Sequence, residues 1–118
     1  MGKQIPSSDP DRGFVPVVTQ AAAAGLVAKD RDGNLYGFTG HSTVDGWFLA
    51  VDLDAIPANG DVTAALRDFW PYSAGSSFGV NYGDFPLNHQ TGITILFSTT
   101  GPYTFTGSAT ASISAKVK

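Results

Sequence analysis

The sequence contains no cysteine and no glutamate. Without cysteine there is no disulfide, no thiolate metal site and no thiol nucleophile, and the redox compartment cannot be read from the chain. Without glutamate, all ten acidic residues are aspartate, which favours caps and turns over helix interiors. Charge is sparse, at 14% of residues with a net charge of −3, too little for a chain kept unfolded by its own charge. The seven Lys and Arg residues are scattered without a run or stripe, which argues against a nucleic-acid partner. No apolar stretch approaches the ~18 residues of a membrane span, so no membrane partner is expected. The start, Met1-Gly2-Lys3-Gln4-Ile5-Pro6, shows no apolar core of a signal peptide, and Pro6 breaks the myristoylation pattern. Synthesis and folding in a bacterial cytosol is the simplest expectation.

What is present suits one β-rich core. The chain has 118 residues, 42% of them hydrophobic, which is roughly 50 apolar side chains and enough for one domain rather than two. Fourteen Gly and seven Pro, with abundant Ser and Thr, point to short strands and turns. Residues 1–16 stand apart. Pro6, Pro10 and Pro16 among Ser7, Ser8, Asp9 and Asp11 exclude a helix and favour extended backbone. Two readings stay open for this segment: a frayed terminus, or an arm that orders on a partner.

From Val17 onward the pattern is strand and turn. Ala21 to Lys29 is ambiguous between helix and strand and leans to strand, because Asp32-Gly33 follows and predicts a hairpin joining Leu26–Asp30 to Asn34–Thr39. In the run from Gly46 to Leu53, Trp47, Leu49, Val51 and Leu53 share one face and Phe48 and Ala50 the other, as in a central strand. Asn59-Gly60 marks a turn. Val62, Ala65, Leu66, Phe69 and Trp70 fit a helical period, with Asp61 as N-cap and Pro71 as stop, so periodicity alone predicts a short helix there. Phe78, Val80 and Tyr82 alternate with small or polar residues, as do Ile93, Ile95 and Phe97 with Thr94, Leu96 and Ser98. The last run places Ala109, Ala111, Ile113, Ala115 and Val117 inward and Ser108, Thr110, Ser112, Ser114 and Lys116 outward. Strict period two of this length means an antiparallel strand with one solvated face. The expected fold is all-β: an antiparallel β-sandwich or jelly-roll-like body of about seven to eight short strands over residues 17–118, preceded by the extended arm 1–16.

No catalytic set stands out, and no enzyme is expected. His41 and His89 each have a nearby carboxylate, Asp45 or Asp84, and Ser42 and Thr43 supply hydroxyls, but no Gly-x-Ser-x-Gly elbow exists. Both histidines are therefore expected to be ordinary surface or turn residues. No His-x₃-His pair suggests a metal. Asp30-Arg31-Asp32-Gly33-Asn34 begins like a calcium loop but has no closing Glu, and Asp52, Asp54 and Asp61 have no fixed geometry as calcium ligands. Phosphate-binding loops are absent. No cofactor and no metal is expected. The aromatics are many: Trp47, Phe69, Trp70, Tyr72, Phe78, Tyr82, Phe85 and Tyr103. Most would fill a core, yet Trp and Tyr also stack on sugars and hold protein interfaces. The segment Phe69-Trp70-Pro71-Tyr72 cannot bury all three rings on one strand face.

The pieces Gly46-Trp47-Phe48-Leu49, Ala55-Ile56-Pro57-Ala58-Asn59-Gly60-Asp61-Val62-Thr63, Thr91-Gly92-Ile93 and above all Phe97-Ser98-Thr99-Thr100-Gly101-Pro102-Tyr103-Thr104, followed by Ser-Ala-Thr-Ala, form a recognisable set. Together they resemble small proteins encoded in tailed bacteriophages and prophages of proteobacteria, often near virion genes, over roughly 60% of the chain. The resemblance implies a virion component, either a capsid cement (decoration) protein or a tail or fibre module, and brings no functional residue set with it. Its members often have Pro or a small residue where this chain has Ala64 to Trp70, and it implies extended chain there. The leading expectation is a capsid cement protein on the outer capsid surface. It would bind the major capsid protein and be a homo-oligomer, a trimer by analogy with the common cement arrangement. Its capsid or subunit contacts would come from Ile5, Pro6, Pro10, Arg12, Phe14, Val15, Phe69, Trp70 and Tyr72. The alternative is a receptor- or glycan-binding fibre module, with Trp70 and Tyr72, or Tyr82 and Tyr103, as a sugar platform.

Overall fold

The alternation of the last strand reappears in three dimensions as the centre of a sheet. A computed structural model of the chain describes residues 15–118. Among these residues the strands are β1 (Val15–Val18), β2 (Gly25–Lys29), β3 (Gly33–Ser42), β4 (Gly46–Val51), β5 (Gly60–Asp61), β6 (Leu66–Tyr72), β7 (Phe78–Asn81), β8 (Leu87–His89), β9 (Ile93–Ser98), β10 (Thr104–Phe105) and β11 (Ala111–Val117). A first sheet has the order β1-β11-β3-β7, with β8 pairing the other end of β3 beside β7. A second has the order β2-β9-β4-β6, and β10 and β5 form a separate two-stranded ribbon. Every pairing between these strands is antiparallel. The fold is the expected all-β sandwich. Its eleven strands exceed the expected seven or eight because β5, β8 and β10 are only two or three residues long.

The two sheets enclose one core. Leu35 and Phe38 of β3 and Ala111, Ile113, Ala115 and Val117 of β11 meet Leu26, Ala28, Phe48, Ala50, Ile93, Ile95, Phe97 and Tyr72 of the second sheet. Phe48 is fully buried at the centre, with ring centroids of Tyr72, Phe97, Phe78 and Phe38 at 5.1, 5.1, 5.4 and 5.8 Å. Gly40 of β3 makes room for it, since a Cβ there would lie 2.6 Å from the Phe48 ring. The second sheet is buried on its other face too. Leu49, Val51 and Leu96 pack there with Val62 and Phe105, supplied by the β5–β10 ribbon and its flank. That double burial explains why β4 is apolar on both faces.

Three sequence expectations change. The Asp32-Gly33 hairpin does not form: β2 pairs with β9 in one sheet and β3 with β11, β7 and β8 in the other, so residues 30–32 cross the sandwich. A tight hairpin turn needs positive φ at its glycine, and Gly33 is not among the positive-φ glycines. The helix at 62–70 is a 3₁₀ turn at Thr63–Ala65 followed by β6. Its N-cap is Val62 rather than Asp61, although Asp61, one residue earlier, accepts the Thr63 N–H at 2.8 Å; Leu66 is already extended and pairing with β4 takes over. A register shift opposite Ala50 and Val51 leaves Arg67 as an extra residue. This bulge puts Leu66 and Phe69 on one face at helix-like spacing. Of the arm at 1–16, residues 1–14 lie outside the described residues. Val15 and Pro16 form the first half of β1, paired with Val117 and Lys116, so the sheet reaches into the span assigned to the arm.

Candidate functional site: surfaces of the sandwich

Side-chain bonds close one flank of the sandwich. The Tyr82 hydroxyl donates to Asp68 Oδ2 at 3.0 Å, linking the β7 end to β6, and Arg67 Nε donates to the Asn88 carbonyl at 3.1 Å, linking β6 to β8. Burial, together with the adjacent Asp68 carboxylate, pushes the Tyr82 hydroxyl pKa up, so it stays a donor. Trp70 fills the interior beside them, 5.2 Å from Phe38 and 5.7 Å from Phe78 between ring centroids.

The expected contact residues therefore separate. Ile5, Pro6, Pro10, Arg12 and Phe14 lie outside the described residues. Val15 opens β1, the border strand of the first sheet, and is 44% exposed; Val18 at its other end is 47% exposed. Trp70 turns inward and is half-buried. Tyr72 is buried, only 6% exposed, and is a core residue rather than a contact surface. Its hydroxyl accepts the Ser42 N–H at 2.9 Å and offers its one proton to the carbonyls of Ser42 and Ser76, at 3.1 and 2.5 Å. Strand alternation solves the crowding of Phe69-Trp70-Pro71-Tyr72: Trp70 and Tyr72 point in, and Phe69 points out. A Trp70–Tyr72 sugar platform is thereby excluded. Tyr82 packs against the inter-sheet core, whereas Tyr103 lies on the outer side of the second sheet, so that pair forms no common platform either.

Sequence reasoning did not foresee the aromatic group the structure does assemble. Phe69 stands edge-to-face with Trp47, at 5.9 Å, and with Tyr103, at 5.7 Å. Tyr103 is 54% exposed, so this cluster reaches solvent. The signal was the outward face of β4, on which Trp47 was already placed; its partners come from β6 and the loop before β10. The outer face of the first sheet is different in kind. Its cross-strand rows are Lys116–Gly37–Asn81 and Ser114–Thr39–Gly79, small and polar, with His41 opposite Ser112. A groove of about 350 Å³ runs over Gly37 and Gly79.

The histidines part company. His41 is exposed on that outer face, as expected. His89 is fully buried, contrary to the surface or turn expectation, because β8 turns it inward. Its Nδ1 lies 3.0 Å from the Leu87 carbonyl and so carries the proton, leaving Nε2 a buried acceptor without a partner among the described residues. Burial holds its pKa below the usual histidine range. Asp52 has a structural role. Its Oδ1 accepts the N–H groups of Gln90, Thr91 and Gly92 at 3.1, 2.8 and 3.2 Å, fastening the β8–β9 connection to the end of β4. Burial raises its pKa, but these three bonds together outweigh it and hold the carboxyl below the usual range. Among the described residues no group of three or more His or Asp side chains is placed to hold a metal ion.

No family model, no curated protein and no solved structure matches the chain.

Proposed function

We propose that this protein is a structural component of a bacteriophage particle, a capsid cement protein whose leading segment binds the major capsid protein lattice while the sandwich faces outward. The observation that carries the reading is the placement of β1. The chain enters the body along a sheet border, and β1 is hydrogen-bonded on one side only among the described strands. Exposed Val15 and Val18 sit on that border, and Pro16 between them removes one N–H and so limits open-ended pairing. A segment leaving from a border can be ordered on a partner without disturbing the core. Prolines narrow the conformations open to an unfolded chain, so the Pro-rich composition lowers the cost of such ordering. The resemblance of residues 46–117 to phage virion proteins supplies the context.

Deletion of residues 1–14 tests this. It leaves the β1–β11 register intact. The truncated protein is expected to fold, with unchanged circular dichroism, and to lose co-sedimentation with phage heads. Undiminished binding would refute the role of the segment.

A second reading, a glycan-binding fibre module, is favoured by the solvent-reaching cluster Trp47–Phe69–Tyr103. Its rings meet edge-to-face rather than side by side, and Tyr103 is the exposed one of the three, with Trp47 and Phe69 partly buried. Loss of glycan binding in Tyr103→Ala would support it. A virion copy number matching the major capsid protein would favour cement instead.

A further inference from the structure

We infer that two copies of this chain associate through the β7–β8 loop and the glycine groove beside it, each copy inserting Phe85 into the groove of the other. Phe85 is 86% exposed, the most exposed large apolar side chain among the described residues. It is held out at the tip of a defined turn: its N–H donates to the Tyr82 carbonyl at 3.2 Å, and Gly83, at φ 65°, donates its N–H to Asn81 Oδ1 at 2.8 Å. A protruding phenyl ring left in water forgoes the favourable burial that most association draws on.

Next to this knob lies a hole. The groove, about 350 Å³, is formed by Tyr36, Gly37, Thr39, Gly79, Asn81 and Lys116, and Gly83 of the loop borders it. A cavity of about 150 Å³ already holds a benzene ring, so a phenyl side chain fits with room to spare. Bare glycines inside strands mark places where another group approaches the backbone closely, and aromatic rings are the side chains that cover them. Gly37 must be glycine, since a Cβ would lie 2.3 Å from the Val80 carbonyl oxygen. Gly79 is different: it lines the groove, and a Cβ there would meet only ordinary contacts, Thr39 Cγ2 at 3.4 Å and the Phe38 carbonyl oxygen at 3.8 Å. The charges agree with the shapes. Asp84 precedes Phe85 on the knob, and Lys116 lines the hole; among the described residues its ammonium bonds to Ser114 oxygens at 3.2 and 3.0 Å. Knob and hole are adjacent in one patch, which is the arrangement a two-fold axis satisfies for both copies at once.

The inference stands apart from the virion reading, since it concerns the purified full-length chain alone. Sedimentation equilibrium across a concentration series tests it. The expected species is twice the chain mass. Phe85→Ser, which touches no core residue, and Gly79→Leu, which fills the hole, should each raise the dissociation constant by about tenfold to a hundredfold while the melting temperature of the monomer holds. Asp84→Lys and Lys116→Asp should each weaken association, and the double exchange should restore it. A chain that stays monomeric at millimolar concentration, or a trimer, would overturn the proposal. So would Phe85→Ser variants that dimerise unchanged, or a dimer lost when residues 1–14 are removed, because the groove would then hold the leading segment.

Discussion

Phe48 is where the sandwich is most sensitive to a single change. It is fully buried and touches rings from both sheets, so Phe48→Ala should cost about 3–5 kcal/mol in chemical denaturation. Gly40→Ala should be damaging by overpacking at the same place, because both the ring and the sheet resist displacement. Tyr72→Phe keeps the packing but strands the Ser42 N–H in a buried site, and a loss of about 1–3 kcal/mol is expected. His89 and Asp52 set the response to acid. The unfolded chain protonates His89 near pH 6.5, whereas the fold holds it neutral, so its contribution is complete above that pH and is lost as pH falls toward the depressed native value. Asp52 behaves likewise lower down: its contribution is present above the unfolded value of 3.8 and disappears as pH falls through the lowered native one. Melting temperatures should therefore decline in two stages on acidification. His89→Asn, which keeps a donor for the Leu87 carbonyl, should remove the upper stage and leave the lower. An unchanged upper stage would mean that another group titrates there.

At the level of elements, β6 shows how pairing overrules local preference. Its bulge at Arg67 separates Leu66 from Asp68, which then alternates correctly into Phe69 and Trp70. Deleting Arg67 would leave plain alternation with every ring on its present face, at the loss of the bond to Asn88, and should cost under about 2 kcal/mol. One alanine inserted between Phe69 and Trp70 would exchange the two faces and should prevent folding. Circular dichroism with denaturant titration separates these outcomes. The same bulge explains which parts of the fold could be read from the chain. β9 and β4 keep strict alternation, and their faces were legible residue by residue; so was β11 from Ala111 onward, whereas Ala109, expected inward, is exposed in the turn before it. Leu66 and Phe69 were not, because an extra residue mimics the spacing of a helix. The Asp32-Gly33 turn was misplaced for another reason: turn chemistry reports that the chain bends, not which strand it pairs with afterwards. The Trp47–Phe69–Tyr103 cluster joins three distant segments, and no local pattern announces such a meeting. His89 gave no signal of burial, since β8 is three residues long and too short to show a period.

At the scale of the whole molecule, the two outer faces of the sandwich divide the surface by chemistry. One is flat, glycine-bearing and polar; the other carries the ribbon and the exposed aromatic edge. The described chain begins at the border of the first sheet, formed by β1. In the proposed cement role the body would sit over several capsid subunits while the segment preceding β1 reaches among them. A reconstruction of the phage particle at a resolution that traces the chain tests this most directly. The account predicts the sandwich on the outer face of the head, in stoichiometric ratio to the major capsid protein, with residues 1–14 lying against capsid subunits. A sandwich found only at the tail tip, or a leading segment packed wholly on its own monomer, would contradict it.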